Sequence, residues 1–182
     1  MSNTVNQSIK PITTKRNQKG NLEISGCDLI ELKEKYGTPL YVLDEVSLRQ
    51  IAREYKKAFS SYKKVNMMFA SKALMTSAVA QILHQEGFGF DVVSGGEIFT
   101  VHNAKVNLKF ATFNGNNKTK DELELAISLG IGRISVDNFH EIRLLNEILE
   151  EKGKKQEILL RITPGIECHT HEYIQTGHLD SK

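Results

Sequence analysis

The sequence predicts an α/β fold, a partial (β/α)8 TIM barrel. Three observations predict it. Short apolar runs alternate with amphipathic stretches, the later runs are apolar on both faces, and polar or glycine-rich residues gather after each run. With 182 residues, 40% of them hydrophobic, the chain can bury a core without needing more than one domain.

The elements follow in order. Residues 1 to 20 read as a loose leader. The run YGTPLYVLD then reads as a strand with Pro39 at its edge. The segment EVSLRQIAREYKKAF places Leu48, Ile51, Tyr55 and Phe59 on one helical stripe. VNMMFAS is a buried strand, and MTSAVAQILHQEG is a helix with Ala78, Val79, Ile82 and Leu83 inward and Gly87 as its stop. FGFDVVS is the next strand, running into a helix at GGEIFTVHNA. LKFATFN precedes TKDELELAISLG, where Thr119 and Glu122 form a capping box. RISVD precedes NFHEIRLLNEILEEKG, with Asn138 and Glu141 in the corresponding positions, and EILLRITPG is a further buried strand.

From Val65 onward this gives about five strands and four intervening helices. In an open doubly wound sheet the ligand sits mainly at one switch point, whereas in a barrel every loop after a strand converges on one mouth. SKA, DVVSGGE, NGNNKTK, DNFHE and TPGIECHTHEY are all polar, which favours the barrel. No G-x-G-x-x-G opens a helix, so a dinucleotide site is not expected. Five strands do not close an eight-stranded barrel, and the expectation is a barrel cut short.

Charge and cysteine content narrow the function classes. The 24 basic and 22 acidic residues leave a net charge of +2, with no basic stripe, which disfavours nucleic-acid binding. Cys27 and Cys168 form no C-x-x-C pair and suit a reducing compartment, so a cytoplasmic protein is expected. No apolar run approaches the roughly 20 residues that cross a bilayer.

The stretch MFASKALMTSA sets Lys72 directly after a strand. A lysine at the C-terminal end of a barrel strand reaches the mouth, where partial desolvation lowers its pKa and frees an amine for Schiff-base chemistry. A surface lysine snorkelling from a strand end satisfies the same position, so position alone does not decide. Asp91 reads either as a functional carboxylate or as a cap for the helix that starts at SGGE, and Glu97 is similar. Gly95 and Gly96 are read as structural. Asn114, Asn116 and Asn117 shape a loop at the mouth. Arg161 lies amid apolar residues and must be paired inside the barrel. His169 and His171 have a spacing that zinc can use, but no further ligand cluster accompanies them, and metal is not expected.

The stretches YGTPLYVLDE, FASKA, GFDVVSGGEI, NGNNKTKDEL, SVDNFHEI, LLRITPGIECHTHEYIQTG and DSK, in that order, resemble the N-terminal half of the diaminopimelate decarboxylase family. Thr163, Pro164 and Gly165 stand where that family commonly has Asn-Pro-Gly. The resemblance implies a pyridoxal 5'-phosphate enzyme with an alanine racemase-like barrel and a C-terminal β domain that is absent here. It implies residues 1–38 as leader and a segment packing on that β domain, and residues 39–182 as the incomplete cofactor-binding barrel. It implies Lys72 as the cofactor-holding catalytic residue, with Asp91 and Arg161 supporting the cofactor, and a homodimer when full length. The implied reaction is decarboxylation of meso-2,6-diaminopimelate to L-lysine. Decarboxylation of ornithine, arginine or a carboxylated polyamine is the alternative enzyme, and a non-catalytic cofactor-binding barrel is the alternative class. Retention of Lys72 and the HTHEYIQTG segment argue against the latter.

Overall fold

A computed structural model of the chain describes residues 9–162, which fall into two compact units that divide after Val65. In the first unit three short antiparallel strands, β1 (Lys15–Arg16), β2 (Leu22–Ile24) and β3 (Cys27–Asp28), lie in that order and lead into α1 (Leu29–Tyr36) and α2 (Glu45–Ala58). The expected loose leader is therefore structured from Lys15 onward. Asn17 organises its turn by accepting from the amides of Lys19 and Asn21. Buried Asp44 joins three segments: it accepts from the hydroxyls of Thr13 at 2.8 Å, Ser25 at 2.6 Å and Ser47 at 2.5 Å. Burial pushes its carboxyl up, but those hydroxyls and the Ser47 amide outweigh it and hold the pKa at about 2.

One expectation fails in this unit. No strand forms over YGTPLYVLD. An apolar run becomes a strand only when a partner ladder satisfies its amides, and among the described residues none pairs with it; Leu40, Tyr41, Val42 and Leu43 are exposed. The expected helix forms as α2, but its stripe is largely uncovered among the described residues: Ile51, Tyr55 and the C-capping Phe59 are exposed, and Ala52 is the buried residue of the helix. Strands of two or three residues offer too little apolar surface to cover it.

The second unit alternates as expected. β4 (Met68–Ala70), α3 (Ser77–Gln85), β5 (Gly89–Val92), α4 (Gly95–Asn103), β6 (Ala111–Phe113), α5 (Lys120–Ser128), β7 (Arg133–Val136), α6 (Phe139–Lys152) and β8 (Glu157–Leu160) follow one another. The five strands are parallel and lie in chain order, β4 to β8. That monotonic order is the winding of a (β/α) barrel, since a doubly wound sheet reverses direction at a switch point.

Side-chain alternation separates two faces of the sheet. Phe90, Val92, Phe113, Ile134 and Val136 are buried with Val79, Leu83, Ile98, Val101, Leu123, Ile127, Leu145 and Ile148 of the helices, forming the core. The registers put Ala70, Asp91 and Thr112, and farther along Ser135 and Leu159, on the opposite face. On β8, expected as a buried strand, Ile158, Leu159 and Leu160 are all exposed among the described residues, whereas Phe90, Val92, Phe113, Ile134 and Val136 of the central strands are buried.

At the N-terminal ends of the strands the backbone is tightly packed. A Cβ on Gly89 would stand 2.2 Å from the Phe110 carbonyl oxygen, and one on Gly132 would stand 2.1 Å from that of Lys109. Each helix on this sheet has a side-chain cap, from Thr76, Ser94, Thr119 and Asn138 in turn. Thr119 and Glu122 form the full capping box. Asn138 accepts from the Glu141 amide at 2.9 Å, but the Glu141 carboxylate turns back to the amide of Asp137 rather than to that of Asn138.

Candidate functional site

Polar residues collect where the five parallel strands end. Lys72 lies in a single 3-10 turn, Ser71–Ala73, that follows β4 directly. Its side chain is exposed among the described residues, so the partial desolvation expected of it is not seen there, although Ser71 of the same turn is buried. Asp91 sits inside β5, level with Ala70 on one side and Thr112 on the other. Its Oδ1 is buried and, among the described residues, has no hydrogen-bond partner; the same holds for Ser71 Oγ. A buried polar atom left without a partner costs stability, and its persistence calls for an explanation. The capping reading of Asp91 does not explain it, because Ser94 caps α4 and Glu97 Oε2 accepts from the Val93 amide.

Arg161 follows β8. Its amide donates to the Val136 carbonyl at 3.0 Å, which extends the ladder one residue, and its Nη1 donates to Asp137 Oδ1 at 3.1 Å. The expected pairing is present, but at a partly exposed site, with 33% of the Arg161 side chain accessible. Asp137 and Arg161 come from neighbouring strand ends, so this pair ties β7 to β8.

Lys118, to which sequence reasoning gave no role, lies in the same zone, and Glu141 and Glu122, read there only as capping residues, do more than cap. Lys118, in the loop after β6, is buried and its Nζ stands 2.7 Å from Glu141 Oε1, with the two side chains 1% and 5% exposed. Nζ also donates to the Gly115 carbonyl and lies 5.6 Å from the centre of the Phe113 ring. Glu122 Oε1 accepts from the Gly95 amide at 2.8 Å while its Oε2 serves Thr119. Burial raises the Glu122 pKa, but the Gly95 and Thr119 donors and the Lys118 charge outweigh that and lower it. With its amide occupied and Glu122 Cγ 3.1 Å from where a Cβ would stand, Gly95 has the structural role expected of it. Asn114, Asn116 and Asn117 lie in the loop between β6 and α5, where Asn114 Oδ1 accepts from the Gly115 amide. Thr163, Pro164, Gly165, Cys168, His169 and His171 lie outside the described residues. Among those described, no three His, Cys, Asp or Glu side chains gather as a metal site, and no helix is long and apolar enough to cross a membrane.

Residues 48–182 match the family model described as "pyridoxal-dependent decarboxylase, pyridoxal binding domain". The chain belongs to the pyridoxal-dependent decarboxylase family. Within that family it is 52% identical over 171 residues to a diaminopimelate decarboxylase of Bacillus methanolicus, a match that takes in 93% of this chain and 40% of the relative. Among solved structures it resembles diaminopimelate decarboxylase from M. jannaschii in complex with L-lysine, with 36% identity and a TM-score of 0.79 over 90% of this chain and 39% of that one. The Helicobacter pylori diaminopimelate decarboxylase complexed with L-lysine matches at 32% identity with a TM-score of 0.77, over 85% and 39% respectively. The chain thus spans about two fifths of the length of the relatives it matches.

The residues present fit a pyridoxal phosphate group. A primary amine stands at the end of β4, and an acceptor oxygen on β5 and a hydroxyl beside the amine both lack partners among the described residues. An electron-poor, positively charged ring with its own donors is the kind of group that such a set accommodates.

Proposed function

We propose that this chain supplies the cofactor-holding part of a cytoplasmic, homodimeric decarboxylase that converts meso-2,6-diaminopimelate to L-lysine. The observation that carries the reading is the buried Oδ1 of Asp91, without a hydrogen-bond partner among the described residues and one strand away from the turn that bears Lys72. Lys72 holds the cofactor through its amine and, once released, moves a proton at the reacting carbon. Its exposure leaves the amine accessible to an incoming aldehyde. Asp91 supplies negative charge on the sheet face that carries Ala70 and Thr112. Arg161, steered by Asp137, supplies fixed positive charge at the end of β8. When bound, the cofactor takes up the electron pair left by the departing carboxylate. The choice of diaminopimelate as substrate rests on the relatives, since most of their length lies outside the match.

The test uses the complete protein that carries this sequence. Borohydride reduction followed by peptide mapping is expected to place one pyridoxyl group on the peptide containing Lys72 and none on Lys63, Lys64, Lys105 or Lys118. Lys72→Ala is expected to lose both the label and carbon dioxide release. Label on another lysine, or ordinary turnover by Lys72→Ala, overturns the role of Lys72. Faster carbon dioxide release from ornithine than from meso-diaminopimelate overturns the substrate.

A further inference from the structure

We infer that Lys118 and Glu141 are positioning residues that set the place of Arg161; the consequence for cofactor binding rests on the reading above. Four links connect them. Lys118 Nζ meets Glu141 Oε1 at 2.7 Å, and Glu141 Oε2 accepts from the Asp137 amide at 3.2 Å. Asp137 Oδ1 accepts from Arg161 Nη1 at 3.1 Å, and the Arg161 amide is held by the Val136 carbonyl at 3.0 Å. The chain of contacts starts in the loop after β6, passes the end of β7 and finishes at the end of β8. It therefore fixes three neighbouring strand ends relative to one another.

Two features separate this role from simple helix capping or general stability. The start of α6 is already capped by Asn138 Oδ1 on the Glu141 amide, so the Glu141 carboxylate is free of that duty. A buried ion pair is also a poor source of net stability, because removing two charges from water offsets most of their attraction. What such a pair does supply is geometry. The Lys118 ammonium additionally holds the Gly115 carbonyl and lies near the Phe113 ring, so its position is set from the β6 side as firmly as from α6.

The test again uses the complete protein, with two double variants that leave no lone buried charge. K118M/E141L removes the acceptor for the Asp137 amide, whereas K118M/E141Q keeps an oxygen there. Without cofactor, amide exchange of residues 157–162 is expected to run about tenfold faster in the Leu variant and about threefold faster in the Gln variant, which keeps the acceptor oxygen but lacks the ammonium that holds it, with residues 66–93 unchanged in both. Pyridoxal phosphate is expected to bind about tenfold more weakly to the Leu variant, with partial rescue in the Gln variant. If the Leu variant does not fold, Asp137→Ala breaks the link between Asp137 and Arg161 at a partly exposed site and must give the same fast exchange at 157–162. Parent-like exchange there, or loss of protection spread evenly over the sheet, overturns the inference. A parent that binds no pyridoxal phosphate would overturn the cofactor reading, and the exchange experiment would still decide this one.

Discussion

At the N-terminal ends of β5 and β7, Gly89 and Gly132 let backbone touch backbone, and no side chain fits between. At the opposite ends the strands run into a buried carboxylate oxygen and a hydroxyl that lack partners among the described residues, an exposed lysine and a buried ion pair. One end is packed to the limit and chemically inert. The other retains groups that weaken the isolated fold and have value only in the presence of something else. The difference teaches that stability and chemistry have been assigned to opposite ends of the same strands, as barrel architecture allows. A substitution's end of the sheet then forecasts what it changes.

The largest effect expected in stability is at the packed end. Gly132→Ala drives a Cβ against the Lys109 and Ala111 carbonyls, neither of which can rotate away. It is expected to cost about 3 kcal/mol in denaturant unfolding of the complete protein, with unchanged pyridoxal phosphate affinity in the folded fraction. A variant of normal stability that binds cofactor poorly would break the division. At the other end Ser71→Ala removes a buried hydroxyl with no partner among the described residues. Stability in the absence of cofactor is expected to rise by about 1 kcal/mol; a fall instead would show that the hydroxyl is satisfied and dissolve the contrast. The smallest effect concerns acid. The lowered folded-state pKa of Glu122 means that its contribution is fully present above the ordinary value of 4.5 and is lost as the pH falls below it. Stability measured from pH 6 downward should therefore decline more steeply for the parent than for Glu122→Gln, and equal slopes would remove Glu122 from the account.

Much of the second unit was legible because its signals are local. Strand and helix periods, and caps such as Thr119 and Asn138, need only a few consecutive residues to be recognised. The place of Lys72, directly after a strand, was legible for the same reason, while the roles proposed for Lys72, Asp91 and Arg161 rest on resemblance. The Lys118–Glu141 pair was not legible, because its partners lie on different βα units and no short pattern links them. The failed strand at Leu40–Leu43 and the uncovered stripe of α2 share another cause. Periodicity reports what a segment is able to bury, and burial itself is a property of two elements. The short strands β1 to β3 escaped notice because two or three residues carry no period.

The carboxylate of Glu122 has a consequence for heredity. One oxygen receives the first amide of α4 and the other completes the cap of α5, so adjacent strand–helix modules share a single fastening. A crossover between two homologous genes that falls between Asn103 and Thr119 would leave the Gly95 amide facing whatever the second parent encodes at position 122. Modules that close on themselves can be shuffled one at a time, whereas α4 and α5 are expected to be inherited as a couple.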